Sequence, residues 1–502
     1  MRSGLALLLR KTFAEASQHP TDYGRRDFIK KGALATLALS IPFTSCVGDK
    51  KPVIAIVGGG IAGLSASFYL GKMGFENTVY EVSGRVGGRV LTVEDAVIKG
   101  SHVDFGAEFI DSIHEDLLNL ARQLNVELVD LHADTLTPKA YFFDGNMFTE
   151  KDIVQAIQPF AEKLTADAKR IPEEIHFSTA EEFKDLDQQS VTSYLKSIGM
   201  EGWLLRFFEV AMESEYAMRA SEQSAVNLLV MLSVPFEYSD HYHLLGSYHE
   251  VFKFKGGSQR FIDALWKVTE QQVKLGWRLQ KISKRDHQYA LSFDVSGKNE
   301  EVIADYVVIA VPFTVIRDIE RDFRFADRKE KWIAEAGFRN AIKVAMGFTK
   351  RVWREAGFQG YTFTDVNETV FWDSSQMVPT EEGSLTFAGG GDSAVELLEK
   401  SYDEIRDKWL TGAGTIYPGL TEAYNGKISK FPWNIYPYTK GSYTCYKPGQ
   451  WSEFAGIEAE PFENIFFAGE HCSVKHQGFM NGAAETGRKA AEGIIEKLSV
   501  QS

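Results

Sequence analysis

The chain has 502 residues, 44% of them hydrophobic and 25% charged, which is enough apolar material for more than one core and too much for wholesale disorder. A formal net charge of −14 leaves no basic footprint for a nucleic-acid partner. Cys46, Cys445 and Cys472 cannot build a disulfide framework and lack metal-site spacing, so no metal is expected, and a mean hydropathy of −0.20 excludes a polytopic membrane protein.

Residues 24–31 read Gly-Arg-Arg-Asp-Phe-Ile-Lys-Lys, followed by an apolar run from Ala33 to Phe43 and then Thr44-Ser45-Cys46. The run is about half the length that spans a bilayer. Paired arginines, a hydrophobic position shortly after them and a modest apolar run resemble a twin-arginine export signal. That resemblance implies that residues 1–46 are an address and that the mature protein is periplasmic. The route carries folded proteins, which suits a cofactor loaded before export. Cys46 stands where a lipoprotein cysteine would stand and would anchor the chain to a membrane lipid, although Phe43 departs from the usual leucine.

The fold begins after this segment. Val53 to Val57 is a β-branched-rich apolar run suited to a strand buried on both faces. Gly58-Gly59-Gly60-Ile61-Ala62-Gly63 follows, then a helical stretch from Leu64 to Met73, then a second strand from Thr78 that ends on Glu81. Gly58 permits the tight turn, Gly60 lets the backbone approach a pyrophosphate, and Gly63 lets the helix pack on the strand. The helix N-terminus favours phosphate, and Glu81 is placed to accept the hydroxyls of a ribose. Strand, glycine turn, helix, strand and acid together predict a dinucleotide site.

Ser83-Gly84-Arg85-Val86-Gly87-Gly88-Arg89 extends the pattern. With it the chain resembles the flavin amine oxidase family, which includes monoamine, polyamine and L-amino acid oxidases. The resemblance implies FAD, with Arg89 against its pyrophosphate. Ser83 departs from the arginine that some monoamine oxidases carry there. The same family closes its FAD site from the C-terminal end, and here Asn464 to Glu470 reads as a buried strand ending in Gly-Glu. Gly478 to Glu485 then opens a helix running to about Lys497. Glu470 would meet the FAD, and the N–H of Met480 would face the flavin.

In between, Phe252 to Ser258 precedes a helix from Gln259 to Gln271. Val273 follows on a short strand, where the resemblance places a valine backbone against adenine. Tyr289 to Val295 and Val302 to Ala310 read as a hairpin. Residues 101–251 carry amphipathic stretches at His114 to Leu124, Asp152 to Thr165 and Val191 to Met218, and read as a helical insertion. The fold class expected is therefore α/β. A Rossmann-like FAD-binding domain (51–100, 252–315 and 440–500) is interleaved with a mixed α/β substrate domain that includes the helical insertion (101–251 and 316–439).

The resemblance also assigns chemistry. Lys343, in Asn340 to Phe348 with Trp353 after it, would hold a water against flavin N5 and stabilise charge as O2 accepts electrons. Tyr443 and Phe479 would sandwich the amine, with Phe479 lacking the hydroxyl often found there. Trp433 would stack at the flavin edge. Ser442 stands where monoamine oxidases tie FAD through a cysteine, so FAD would be held non-covalently. Glu108 and Asp111, in Asp104 to Asp111, either pair with a distal ammonium or cap a helix from about Ser112. No arginine occurs between Val90 and Ala121 to clamp a substrate carboxylate; Arg339 could do so from elsewhere.

The function expected is oxidation of a small-molecule amine by hydride transfer to FAD. The imine hydrolyses to a carbonyl product, and O2 or another acceptor reoxidises the flavin, O2 yielding hydrogen peroxide. The rival readings are an L-amino acid oxidase or dehydrogenase, and a protein that binds FAD without turnover.

Overall fold

The computed structural model describes residues 51–172, 174–232, 250–338 and 340–501. The paired-arginine segment, Cys46 and Arg339 lie outside the described residues.

A parallel sheet organises the nucleotide-binding side, in the order Ile465–Phe467, Tyr306–Ile309, Ile54–Val57, Asn77–Glu81, Val273–Leu275. Its central strands are buried throughout, as continuous apolar runs covered on both faces must be. The strand Ile54–Val57 feeds Gly58 at φ +108 and then the helix Ile61–Lys72. That helix starts earlier than its apolar pattern predicts, so Gly63 falls in its first turn. A Cβ on Gly63 would stand 1.9 Å from the carbonyl oxygen of Gly58, which only glycine avoids. The C-terminal helix Met480–Gln501 packs against Ile61–Lys72, so both ends of the described chain meet over this sheet.

The predicted strand from Val302 to Ala310 is two strands. Lys298–Ala304 completes an antiparallel hairpin with Gln288–Val295, and after Asp305 the strand Tyr306–Ile309 enters the parallel sheet. The hairpin continues into Trp277–Arg285, whose register slips between Leu279 and Lys281.

A seven-stranded sheet faces the other side: Tyr424–Pro432, Ala341–Phe348, Gly383–Gly390, Thr369–Asp373, Phe358–Thr364, Thr137–Phe143, Asn146–Phe148. Ala341–Phe348 is paired on both edges, so Lys343 is not at a solvated sheet edge. Alternation decides where it points. Val344, Met346 and Phe348 pack with Trp353, Phe387 and Trp409 on one face, while Ala345 packs with Val97 and Phe105 on the other. Lys343 shares the second face.

The insertion is helical but more broken than its pattern suggests. Around Pro159 the helices Glu150–Ile157 and Ala161–Ala168 are joined by a single tight turn, and Gly199 at φ +89 separates Val191–Ser197 from Gly202–Tyr216. Among the described residues no helix is long and apolar enough to cross a membrane.

Candidate active site

A cavity of about 1030 Å³ lies between the parallel and seven-stranded sheets. Gly58, Gly60, Glu81, Arg89, Glu108, Lys343, Trp433, Tyr443, Glu470, Phe479 and Met480 all line it, from segments spread over the whole described chain.

On the parallel-sheet side, the turn at Gly60 faces a second glycine turn. Gly60 bridges to Gly87, the Gly87 amide donates to the Gly59 carbonyl (2.8 Å), and a Cβ on Gly60 would meet nothing nearer than Gly88 at 3.9 Å. Two facing stretches of bare backbone leave a trough suited to a pyrophosphate. Arg85 cannot reach into it freely, because its guanidinium is spent on the carbonyls of Val86, Gly88 and Val90. Glu81 accepts from the Gly59 amide (2.7 Å) and the Ser83 amide (2.9 Å), and the Ser83 hydroxyl stands 2.7 Å from the same Oε1. Ser83, the departure from the family pattern, thus fixes the carboxylate beside it.

Arg89 and Glu470 join the two halves of this site. Arg89 Nη1 donates to Glu470 Oε1 at 2.6 Å and to the Ser442 carbonyl at 2.7 Å. Glu470 Oε2 accepts from the Gly478 amide at 2.7 Å, just ahead of Met480, which opens the C-terminal helix. The first N–H groups of that helix have no partner within it and point to the cavity end. Trp433 is fixed by donating its indole N–H to the Phe105 carbonyl at 2.7 Å. The Ser442 hydroxyl is buried without a partner among the described groups. The bare trough, the unpartnered hydroxyl and the helix terminus fit a bound dinucleotide.

Val273 is not at this cavity. It pairs with Val79 at the sheet edge, and the neighbouring strand supplies Trp277, Arg278 and Leu279 to the lining instead. The resemblance sets adenine against the Val273 backbone; the aliphatic residue that lines the cavity is Leu279, on the longer strand that follows.

On the side of the seven-stranded sheet, Glu108 is the hub. Its side chain is 3% exposed. Oε1 accepts from Lys253 Nζ (2.7 Å), and Oε2 accepts from Lys343 Nζ (3.2 Å) and the Trp372 indole (3.0 Å). Burial opposes the charge, yet Lys253 and Lys343 hold the carboxyl below the ordinary range. Lys343 Nζ also donates to the carbonyls of Asp104 (3.0 Å) and Gly106 (2.9 Å). Neither Glu108 nor Asp111 caps a helix. The helix Glu115–Gln123 begins beyond them at His114, and Asp111 Oδ1 accepts from the Glu250 amide (2.8 Å). Trp353 lies away from the cavity, in the far core, donating to Asp373 (3.0 Å).

The structure adds residues that no local pattern announces. Tyr361 and Trp372 stack with centroids 6.2 Å apart and wall the cavity, and Glu215 and Glu250 line it beside them. Burial, then Glu250 and Asp111, push the Glu215 carboxyl up to about 8. Glu215 lies in the last turn of the helix Gly202–Tyr216 and reads in sequence as one more polar position on it.

The family model of flavin-containing amine oxidoreductases matches residues 61–495, and the chain belongs to that family. It is therefore an enzyme that oxidises small-molecule amines on a flavin, with O2 or a similar acceptor taking the electrons. An L-amino-acid oxidase of Bothrops moojeni is 23% identical over 491 residues, covering 94% of this chain and 93% of that protein. Polyamine oxidase 4 of Oryza sativa subsp. japonica is 24% identical over 480 residues, covering 93% and 94%. Among solved structures, putrescine oxidase bound to putrescine superposes with a TM-score of 0.78 at 20% identity, covering 89% of this chain and 99% of that one. Cyclohexylamine oxidase from Brevibacterium oxydans gives 0.77 at 19%, covering 90% and 100%. The α/β fold with a Rossmann-like nucleotide-binding side is shared with these structures.

Proposed function

We propose that the chain oxidises amines carrying a second positive charge, diamines or polyamines, on non-covalently held FAD. FAD, when bound, supplies a hydride acceptor and passes the electrons to O2, with hydrogen peroxide as product. The trough between Gly60 and Gly88 would take the pyrophosphate with Arg89 beside it. Glu81 would take the adenosine ribose, Leu279 the adenine side, and Trp433 and the Met480 amide the flavin. Ser442 offers no thiol for a covalent link. Tyr443 and Phe479 would flank the reacting amine, which enters neutral so that its lone pair assists loss of hydride. Lys343 would stabilise charge near the flavin as O2 is reduced.

The observation that carries the substrate class is the pair Glu215 and Glu250 on the lining of the substrate side. A distal ammonium there would meet Glu215, and would share Glu250 with Lys139, which bonds it at 3.3 Å and lies over the Tyr361 ring at 4.3 Å. A substrate carboxylate would meet the same acids. Of the lining arginines, Arg85 is spent on backbone carbonyls, Arg89 binds Glu470, and Arg278 lies on the strand beside the parallel sheet. The paired arginines near the N-terminus support export of the folded, loaded protein. Peroxide release from a panel of diamines, monoamines of matched length and L-amino acids tests the substrate class. The diamines should give the highest kcat/KM, and turnover confined to amino acids would overturn it.

A further inference from the structure

Lys253 belongs to no motif, yet it is one of the most deeply buried ammonium groups described, with its side chain 7% exposed. It sits on the short strand Phe252–Phe254, over the ring of Phe109 (4.6 Å), and its nearest anionic partner is Glu108 at 2.7 Å. Glu108 in turn bonds Lys343, whose ammonium has its three N–H groups directed at Glu108, Asp104 O and Gly106 O. The indole of Trp372 donates to the oxygen that Lys343 uses, and its ring faces Lys343 at 4.9 Å. Lysine, glutamate and lysine therefore form one chain that ends in the cavity. Asp104 adds a carboxyl at the same place: burial, then Glu108, push it up to about 6, while Thr92 and the Ser258 amide bond to it. Burial, then Lys253, lower the pKa of His102, and the buried Asp373 carboxyl also feels the charge of Lys253.

A carboxylate shared between two ammonium groups neutralises neither completely. We propose that Lys253 is a positioning residue that acts through Glu108: by taking half of the Glu108 charge, it leaves Lys343 with net positive charge toward the flavin. Without Lys253, Glu108 and Lys343 close into a balanced pair, and the cavity loses that charge. Without Glu108, both ammonium groups stand uncompensated and the cavity gains charge. A purely structural role predicts damage of one sign from either change, whereas charge balance predicts opposite signs.

The proposal rests on the flavin site described above, and sulfite tests it without an amine substrate. Sulfite adds reversibly to bound oxidised flavin and bleaches it, more tightly where positive charge lies close. Flavin-loaded Lys253→Met should bind sulfite about tenfold more weakly than wild type at pH 7.5, and Glu108→Gln more tightly by a similar factor. The double variant, which removes the pair as a unit, should return close to wild type. Reoxidation of dithionite-reduced protein by O2 should follow the same order. Shifts of the same sign in both single variants, or none, would overturn the proposal. Wild-type protein purified without flavin would instead count against the site reading itself. Lys253→Arg, which keeps the charge, should restore sulfite affinity, and its failure to do so while the protein melts normally would also count against the charge argument.

Discussion

Replacing Glu470 by alanine should separate the two halves of the nucleotide site. The carboxylate accepts from Arg89 (2.6 Å) and from the Gly478 amide (2.7 Å), with the Thr444 amide at 3.3 Å. Its side chain is 7% exposed and that of Arg89 is 21% exposed, so solvent screens the pair little. Removing one partner of a buried ion pair costs about 3–5 kcal/mol, because the other charge is left uncompensated. The Gly478 amide loses its acceptor as well, a cost that overlaps with the first rather than adding to it. Glu470→Ala should therefore lose about 3–5 kcal/mol in urea unfolding, followed by tryptophan fluorescence with and without added FAD. Glu470→Gln keeps one acceptor oxygen, which can serve either Arg89 or Gly478 but not both, and should lose about half as much. Affinity for FAD should fall in both, more in the alanine variant. An unfolding midpoint for Glu470→Ala equal to that of wild type, with unchanged slope, would refute the view that this pair holds the ends of the chain together.

The remaining predictions concern chemistry and packing. Lys343→Met should slow flavin reoxidation by O2 more than flavin reduction by amine in stopped-flow traces; equal effects would remove the assignment. Glu215→Gln should raise KM for a diamine while leaving a monoamine of matched length nearly unchanged. In wild type, Glu215 gains its charge as pH rises through about 8, so the diamine's advantage should grow across that range and the glutamine variant should lose the trend. Leu279→Asp should weaken FAD binding, measured by fluorescence titration, whereas Val273→Ala should leave it unchanged; the reverse pattern would restore the sequence-based choice of Val273. Gly63→Ala places a methyl 1.9 Å from the Gly58 carbonyl and should yield protein that neither folds well nor retains flavin, read from soluble yield and visible absorbance.

What the sequence made legible was local chemistry. The run from Ile54 to Glu81 is readable because a strand, a turn needing positive φ at Gly58 and a helix leave a pattern in consecutive residues. Arg89 and Glu470 are readable only through family resemblance, and that they bond each other is a fact of the fold. Val273 and Leu279 show where the pattern fails. Both are aliphatic residues on strands that follow each other in sequence, Val273–Leu275 and Trp277–Arg285, and the register slip after Leu279 leaves no local mark. Lys253 shows a second limit. In Phe252-Lys253-Phe254, and again around Lys343, a lysine between apolar neighbours reads as the solvent face of an alternating strand. In both cases the lysine points inward. The reason is a carboxylate far away in sequence: unpaired, either ammonium would be costly to bury, and Glu108 makes both tolerable at once. Whether a strand lysine faces water or a cavity is thus decided by its partner and not by its own segment, so Lys343 and Glu108 were placed through the family resemblance while Lys253, Glu215 and Glu250 were visible by type and hidden by position.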